Sequence, residues 1–249
     1  MLIEANWPLS QNKVGAVHTT RRGGYSQAPY HSLNFAYHVG DQRHHVDKNH
    51  NKVRQILQLK LPLHMVEQVH GSNCIEINQP YSVRKALPQA DAIYTTTRGM
   101  PLCILTADCL PIFLADKTCS EIAIIHAGWR SLAQGIITNT LDHFKADPSN
   151  IAVYFGAAIG PQKFAVGQEV KQAFTAIDTK LEDAFIVQDQ ATVAKYLADL
   201  YRIAQILLQN HGITQFYSRS LCTYTEPELF YSYRRDHITG RMANISWLV

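Results

Sequence analysis

Short runs of β-branched and aromatic residues, each cut off by Gly, Pro, Asn or Asp, dominate the middle of this chain. They predict strands over 64–69, 74–77, 92–95, 102–105, 112–114, 122–125 and 152–155, and further strands over 216–218, 230–233 and 243–247. A 3.6-residue spacing replaces that pattern in three places. Val46, Val53, Ile56 and Leu57 share one face of a helix expected over 46–57, and Leu132, Ile136, Leu141 and Phe144 do the same over 131–144, with Asp147-Pro148 beyond its end. A third helix, over 192–209, stops at Asn210-His211-Gly212, where glycine can take a left-handed cap. The first forty residues read as strand and loop, punctuated by Arg21-Arg22-Gly23-Gly24-Tyr25-Ser26. Strands in succession with helices grouped, not strictly alternating, indicate an α+β fold and argue against a doubly wound nucleotide-binding sheet.

Composition narrows the class. With 249 residues, 46% hydrophobic and 17% charged, the chain can bury a full core, and one domain over 1–249 is expected, without repeats or linkers. The net charge of +3 comes from dispersed Lys and Arg without a basic block, so nucleic acid is not an expected partner. No run reaches the roughly 18 apolar residues of a membrane span, and Met1 to Pro8 lacks a secretory pattern. Five cysteines without CxxC spacing argue against a disulfide framework, and a reducing cytoplasm is the expected location.

Three residues stand out chemically. His70 in Gln68-Val69-His70-Gly71, Cys109 in Asp108-Cys109-Leu110-Pro111 and His126 in His126-Ala127-Gly128-Trp129-Arg130 each adjoin an apolar run where it meets small or turn-forming residues. Two imidazoles and a thiolate suit Zn²⁺, and three protein ligands leave a fourth position open. Taken singly, a histidine or free cysteine is most simply a packing residue, and Cys74, Cys103, Cys119 and Cys222 are read that way. His44, His45, His50, His143 and His211 are read as solvated, while His18, His31 and His38 flank the Arg-Gly-Gly region.

At these residues the chain resembles the YfiH-type laccase-domain family, whose members are also described as polyphenol oxidases and purine nucleoside phosphorylases. The likeness runs nearly end to end. It covers Thr20-Arg21-Arg22-Gly23-Gly24, Ser32-Leu33-Asn34, the three motifs above, Ala90-Asp91-Ala92 and Ala158-Ile159-Gly160-Pro161. It closes with Cys222-Thr223, Phe230-Tyr231-Ser232-Tyr233-Arg234-Arg235-Asp236 and Thr239-Gly240-Arg241. The resemblance implies mixed β-sheets packed as a sandwich flanked by helices and a zinc site of His70, Cys109 and His126. It further implies phosphorolysis of adenosine, guanosine, inosine and 5′-methylthioadenosine, and deamination of adenosine to inosine. Copper ranks behind zinc, because one His₂Cys set does not supply a trinuclear cluster. Two departures stand out: Gln162-Lys163-Phe164-Ala165 replaces a run that is often acidic in relatives, and Asn49-His50 replaces a frequent Asn-Arg.

Roles follow from what such reactions need. A carboxylate must move protons, and Asp91 and Asp108 are the candidates by position, alongside Cys109. Phosphate or ribose needs cationic donors, for which Arg21 ranks first and Arg130, Arg234 and Arg235 follow. Asn34 is a candidate for bonding ribose or base, and Phe35 or Trp129 for stacking on a purine. The expected partners are a purine nucleoside and phosphate. Two further readings stay open besides copper-dependent phenol oxidation. One is a hydrolase with Cys109 as nucleophile and His126 as base, acting on an amide such as a cell-wall precursor. The other is a non-catalytic zinc or nucleoside-binding protein, with His18, His31 or His38 closing the metal site.

Overall fold

The computed structural model describes residues 1–81, 86–189 and 195–249. Two sheets face each other across the main core. The smaller is antiparallel and runs β1 (Leu2–Glu4), β2 (Val14–Thr19), β13 (Met242–Leu248), β5 (Leu102–Thr106) in space. The larger is mixed, in the order β12 (Phe216–Ser218), β8 (Ile151–Phe155), β6 (Leu110–Asp116), β7 (Ile122–Ala127), β4 (Ala92–Thr95), β3 (Cys74–Glu76). Its outer pairs, β12 with β8 and β3 with β4, are parallel, and the inner pairs are antiparallel.

Side-chain alternation sorts the layers. Ile122, Ile124, Phe113, Ala115 and Tyr154 turn toward the small sheet, where they meet Val14, Ala16, Leu102, Ile104 and Leu248. The alternate residues Ala123, Ile125, Ile112, Leu114, Val153 and Phe155 turn the other way, onto Leu132, Ile136, Leu141, Phe174 and Ile203 from the helices. Both faces of β6, β7 and β8 are therefore dry, which is why those segments read as unbroken apolar runs. The outer face of the small sheet packs Val17, Cys103 and Ile245 against Leu33, Phe35 and Val53, the last from helix α1 (Arg43–Ile56). The expected α+β sandwich flanked by helices is the observed architecture.

Several elements differ from the sequence reading. The helix expected over 131–144 is two, α2 (Trp129–Ala133) and α3 (Ile136–Leu141), because Gly135 takes φ +86° between them. The helix expected over 192–209 begins only at Leu200. There Asp199 accepts from the Arg202 amide at 3.0 Å, and the residues before it form strand β11 (Lys195–Ala198); residues 192–194 lie outside the described residues. Strand β11 joins β9 (Ala165–Gly167) and β10 (Phe185–Asp189) in a small antiparallel sheet that no alternation announces, and α4 (Gln168–Thr175) was equally unmarked. Over 64–69 only isolated bridges form, at His64 with Leu102 and Glu67 with Gln89. The strand expected over 230–233 is a buried passage of Phe230 and Tyr231 leading into the short helix α6 (Tyr233–Asp236). α5 (Leu200–Gln209) completes the helical layer.

The β6–β7 hairpin, which carries two of the three candidate ligands at one end, is closed at the other by a buried carboxylate. Asp116 accepts from the amides of Thr118, Ser120 and Glu121 at 3.0, 2.6 and 2.7 Å, and from the Thr118 hydroxyl. Burial favours the neutral acid, but the Thr118 hydroxyl and these amides hold the carboxyl below its usual range. A depressed folded value means that the contribution is complete above the unfolded pKa of about 4 and is lost as pH falls through the folded value. Thermal melting from pH 7 to 3 is expected to show wild type losing stability below about pH 4. Asp116→Asn is expected to start lower, by about 1–3 kcal/mol, and to lack that part of the acid sensitivity.

Candidate metal centre

Each candidate ligand reaches the centre by a different local device. Cys109 lies in the link from β5 to β6, which belong to opposite sheets, so the chain crosses the sandwich there. Asp108 takes φ +107° to make the turn, and its carbonyl accepts from Ile159 N at 2.9 Å. His126 is the penultimate residue of β7, paired with Pro111. His70 stands in a loop held against β5 by Gln68, whose amide group donates to the Leu105 carbonyl at 2.8 Å and accepts from the Leu105 amide at 2.7 Å. That side chain thus completes the backbone pairing the loop lacks.

Asp91, fully buried just ahead of β4, joins two of these devices. One oxygen accepts from His126 Nδ1 at 2.7 Å and from the His70 amide at 3.0 Å; the other accepts from the amides of Gly71 at 2.7 Å and Val69 at 3.2 Å. The amides fix the left-handed turn at His70, φ +59°. Burial opposes the charged form, yet the His126 contact and these amides keep the carboxyl below its usual range. With Nδ1 donating to Asp91, His126 keeps Nε2 for the centre.

The donor atoms of His70, Cys109 and His126 all lie within 4.8 Å of one another, and His70 Nε2 is 3.9 Å from Cys109 Sγ. Ligand bonds of about 2.0–2.3 Å in a tetrahedron put donors roughly 3.5 Å apart, so a small inward movement closes them on one ion. The donor chemistry fits as well. Burial pushes the Cys109 thiol up, but the charge and hydrogen bond of His126 and the hydrogen bond of His70 bring it below the usual thiol range. Burial lowers His126, and Cys109 and Asp91 more than reverse this; an ion bound by Sγ and Nε2 would displace the proton that Nε2 then holds. The His70 ring is exposed, Cys109 half-buried and His126 buried, which leaves the centre open on the His70 side. None of His18, His31 and His38 joins the group among the described residues.

Gly128 follows His126 by two residues and is needed for its lack of a side chain. A Cβ there would sit 3.1 Å from Cys109 Sγ and 3.2 Å from His70 Cδ2. Gly128→Ala is expected to displace both ligands by a few tenths of an ångström and to weaken metal binding about tenfold, read by competition with a chromophoric chelator. Thermal stability is expected to stay close to wild type.

The other sequence candidates fall into two groups. Asn34 is buried with its amide spent internally, donating to Ala36 O and Asp41 and accepting from the amides of Ala36 and Arg241. Phe35 is 0% exposed and cannot stack on a ligand. Arg21 donates to the carbonyls of His31 and Pro227 and lies over the Tyr231 ring. Asp108 accepts from Thr223 Oγ1 and the Arg234 amide, both at 2.7 Å, tying the Cys109 link to the 222–236 segment. Trp129 and Arg130 open α2 directly after Gly128: Trp129 packs against the helical-layer core, and the exposed Arg130 has Cζ 4.4 Å from its ring centroid. His50 is not solvated but packs on Phe35 and Tyr37, with Nε2 2.9 Å from the Phe35 carbonyl. Asn49 is likewise internal, donating to Ser26 and the Asn34 carbonyl. Cys74, Cys103 and Cys119 are buried as expected, and half-buried Cys222 accepts from the Gly160 amide at 3.1 Å. Arg241, marked in the sequence only by its place in Thr239-Gly240-Arg241, flanks the Cys109 link because Met242 pairs with Thr106.

Fold and centre together define a mixed-sheet protein with a His₂Cys group suited to one metal ion. The family model described as multi-copper polyphenol oxidoreductase laccase matches residues 15–249. The chain is 42% identical over 249 residues to the purine nucleoside phosphorylase YfiH of Shigella flexneri, covering 100% of this chain and 99% of that one. It is as similar to the protein of that name from Escherichia coli K12, at 42% over 249 residues and the same coverage. A solved Neisseria meningitidis protein superposes with a TM-score of 0.91 at 37% identity, covering 99% of this chain and 98% of that one. The chain belongs to the YfiH-type laccase-domain family.

Proposed function

We propose that this protein is a zinc-dependent purine nucleoside enzyme that phosphorolyses adenosine, guanosine, inosine and 5′-methylthioadenosine and deaminates adenosine to inosine. The observation that carries the reading is a three-donor group, open on one side, in a chain 42% identical from end to end to proteins named purine nucleoside phosphorylase. A divalent ion held by His70, Cys109 and His126 would supply Lewis acidity beside the bound substrate. The chain supplies the rest. Asp91 holds the His126 tautomer and the His70 turn. In phosphorolysis an oxygen of hydrogenphosphate bonds to C1′ of the ribose while the C1′–N9 bond breaks. The electron pair and the phosphate proton end on the purine, giving free base and ribose 1-phosphate. Deamination adds water at C6 and releases ammonia.

A second reading draws directly on contacts within the chain: Cys109 as nucleophile, His126 as base and Asp91 as its orienting acid. The acidified thiol, the raised imidazole and the 2.7 Å bond from His126 to Asp91 favour a thiol hydrolase of amides. Copper-dependent phenol oxidation has only the family description in its favour, since the described residues gather a single three-donor group. The test is to incubate zinc-loaded protein with adenosine, with and without phosphate, and separate the products. Adenine with ribose 1-phosphate, or inosine, lost on chelation and restored by Zn²⁺, supports the first reading. No nucleoside turnover, with amide hydrolysis that survives chelation and dies on thiol alkylation, replaces it with the second.

A further inference from the structure

Several arginines near the centre are spent on the protein. Arg21 serves two carbonyls and Arg22 pairs with Glu228, whereas the exposed Arg234 side chain bonds only the Ala165 carbonyl, through Nη1, and the exposed Arg130 side chain makes no hydrogen bond among the described residues. Arg235 is divided among the carbonyls of Thr223, Tyr224 and Phe230 and the Asp236 carboxylate.

Arg241 differs from the exposed Arg130 and Arg234 in keeping its free donors half-buried, beside the Cys109 link. Its Nη1 donates to the carbonyls of Thr239 and Gly240 at 2.9 and 3.0 Å, while Nε and Nη2 make no hydrogen bond among the described residues. Nor does any described carboxylate lie within ion-pair distance of it. Its position is fixed by the sheet. Met242 pairs with Thr106, so Arg241 flanks the Ala107-Asp108-Cys109 link, and its Cζ lies 5.6 Å from the ring centroid of Tyr233, the neighbour of the Arg234 whose amide holds Asp108. Asn34 accepts from the Arg241 amide at 2.9 Å, and the Arg241 carbonyl accepts from Phe35. Gly240 lies so close to Tyr231 that a Cβ would sit 2.7 Å from Cζ, which leaves the segment no slack. Burial lowers the Arg241 pKa, opposed first by Cys109 and Asp108, whose charges reach the guanidinium.

A half-buried guanidinium with no carboxylate in direct contact leaves donors for a further anion, and two free N–H directions on one planar edge match an oxyanion. We infer that Arg241 holds the oxyanion reactant beside the metal centre, inorganic phosphate in the phosphorolytic reaction. The identity of that reaction rests on the nucleoside reading above; the subsite itself stands on the contacts of Arg241.

The test is calorimetric titration of the metal-loaded full chain with inorganic phosphate, for wild type, Arg241→Gln and Arg241→Lys. Arg241→Gln is expected to weaken phosphate binding about 10- to 100-fold with unchanged metal content. Where nucleoside turns over, KM for phosphate is expected to rise with the nucleoside KM within about twofold. Arg241→Lys keeps the charge and the aliphatic stem but not the fork, so it is expected to recover only part of the affinity, and it gives the same readout should the Gln variant melt early. Unchanged affinity in both variants, or a wild type that binds no phosphate, overturns the inference. Phosphate binding that depends on Arg241 in a protein without nucleoside turnover keeps the subsite and removes the nucleoside reading.

Discussion

Cys109→Ala is expected to cut turnover about a thousandfold or more while the protein stays folded. The side chain is half-buried in a turn, outside the two sheet cores, and its contacts are with the two histidines. Losing it removes the only thiolate of the centre and one of three donors. Cys109→Ser keeps the shape but not the charge, because a hydroxyl does not ionise near neutral pH as the acidified thiol does. Metal content separates the two readings of that loss. With the metal centre at work, bound zinc measured by mass spectrometry is expected to fall in step with activity in both variants. With a thiol nucleophile at work, activity disappears in a protein whose activity never followed its zinc content. Full activity in Cys109→Ser removes the centre from the mechanism altogether.

The α+β class was legible because apolar runs and 3.6-residue spacing are local features, whereas the sandwich came from the family resemblance. The expected strand over 92–95 coincides with β4, and β5, β7, β8 and β13 differ by a residue or two at their ends. What failed was set by partners distant in sequence. Phe230 and Tyr231 have strand composition, but Arg235 bonds three carbonyls around them and the chain turns into a helix. The segment 64–69 looks like a strand yet is held by the Gln68 side chain instead of a ladder. The three candidate ligands could be found because each combines a reactive side chain with an apolar run that meets small residues, although the run before His70 forms no strand. Arg241 offered no such mark. Its significance comes from what it lacks, a carboxylate partner and two occupied donors, and an absence of that kind exists only once side chains are placed.

Asp91→Ala is expected to be the most destabilising single change near the centre. It strips acceptors from the amides of Val69, His70 and Gly71 and from His126 Nδ1 at once. Each buried donor left unpaired costs about 1–3 kcal/mol; because the loop amides are only part-buried and water can reach some of them, a total of about 3–5 kcal/mol is expected in chemical denaturation. Asp91→Asn is nearly isosteric and isolates the functional part of the effect. Its NH₂ must face either the loop amides or His126, where it meets donors, and the imidazole is then free to turn Nε2 away from the centre. Metal affinity is expected to fall about 10- to 100-fold with a smaller loss of stability. Both Asp91 oxygens are engaged and the residue is 0% exposed, so it is expected to orient the two histidines and not to carry a proton to a leaving group. A variant Asp91→Asn that binds metal as wild type but loses its pH–rate profile would reverse that assignment and make Asp91 the proton carrier.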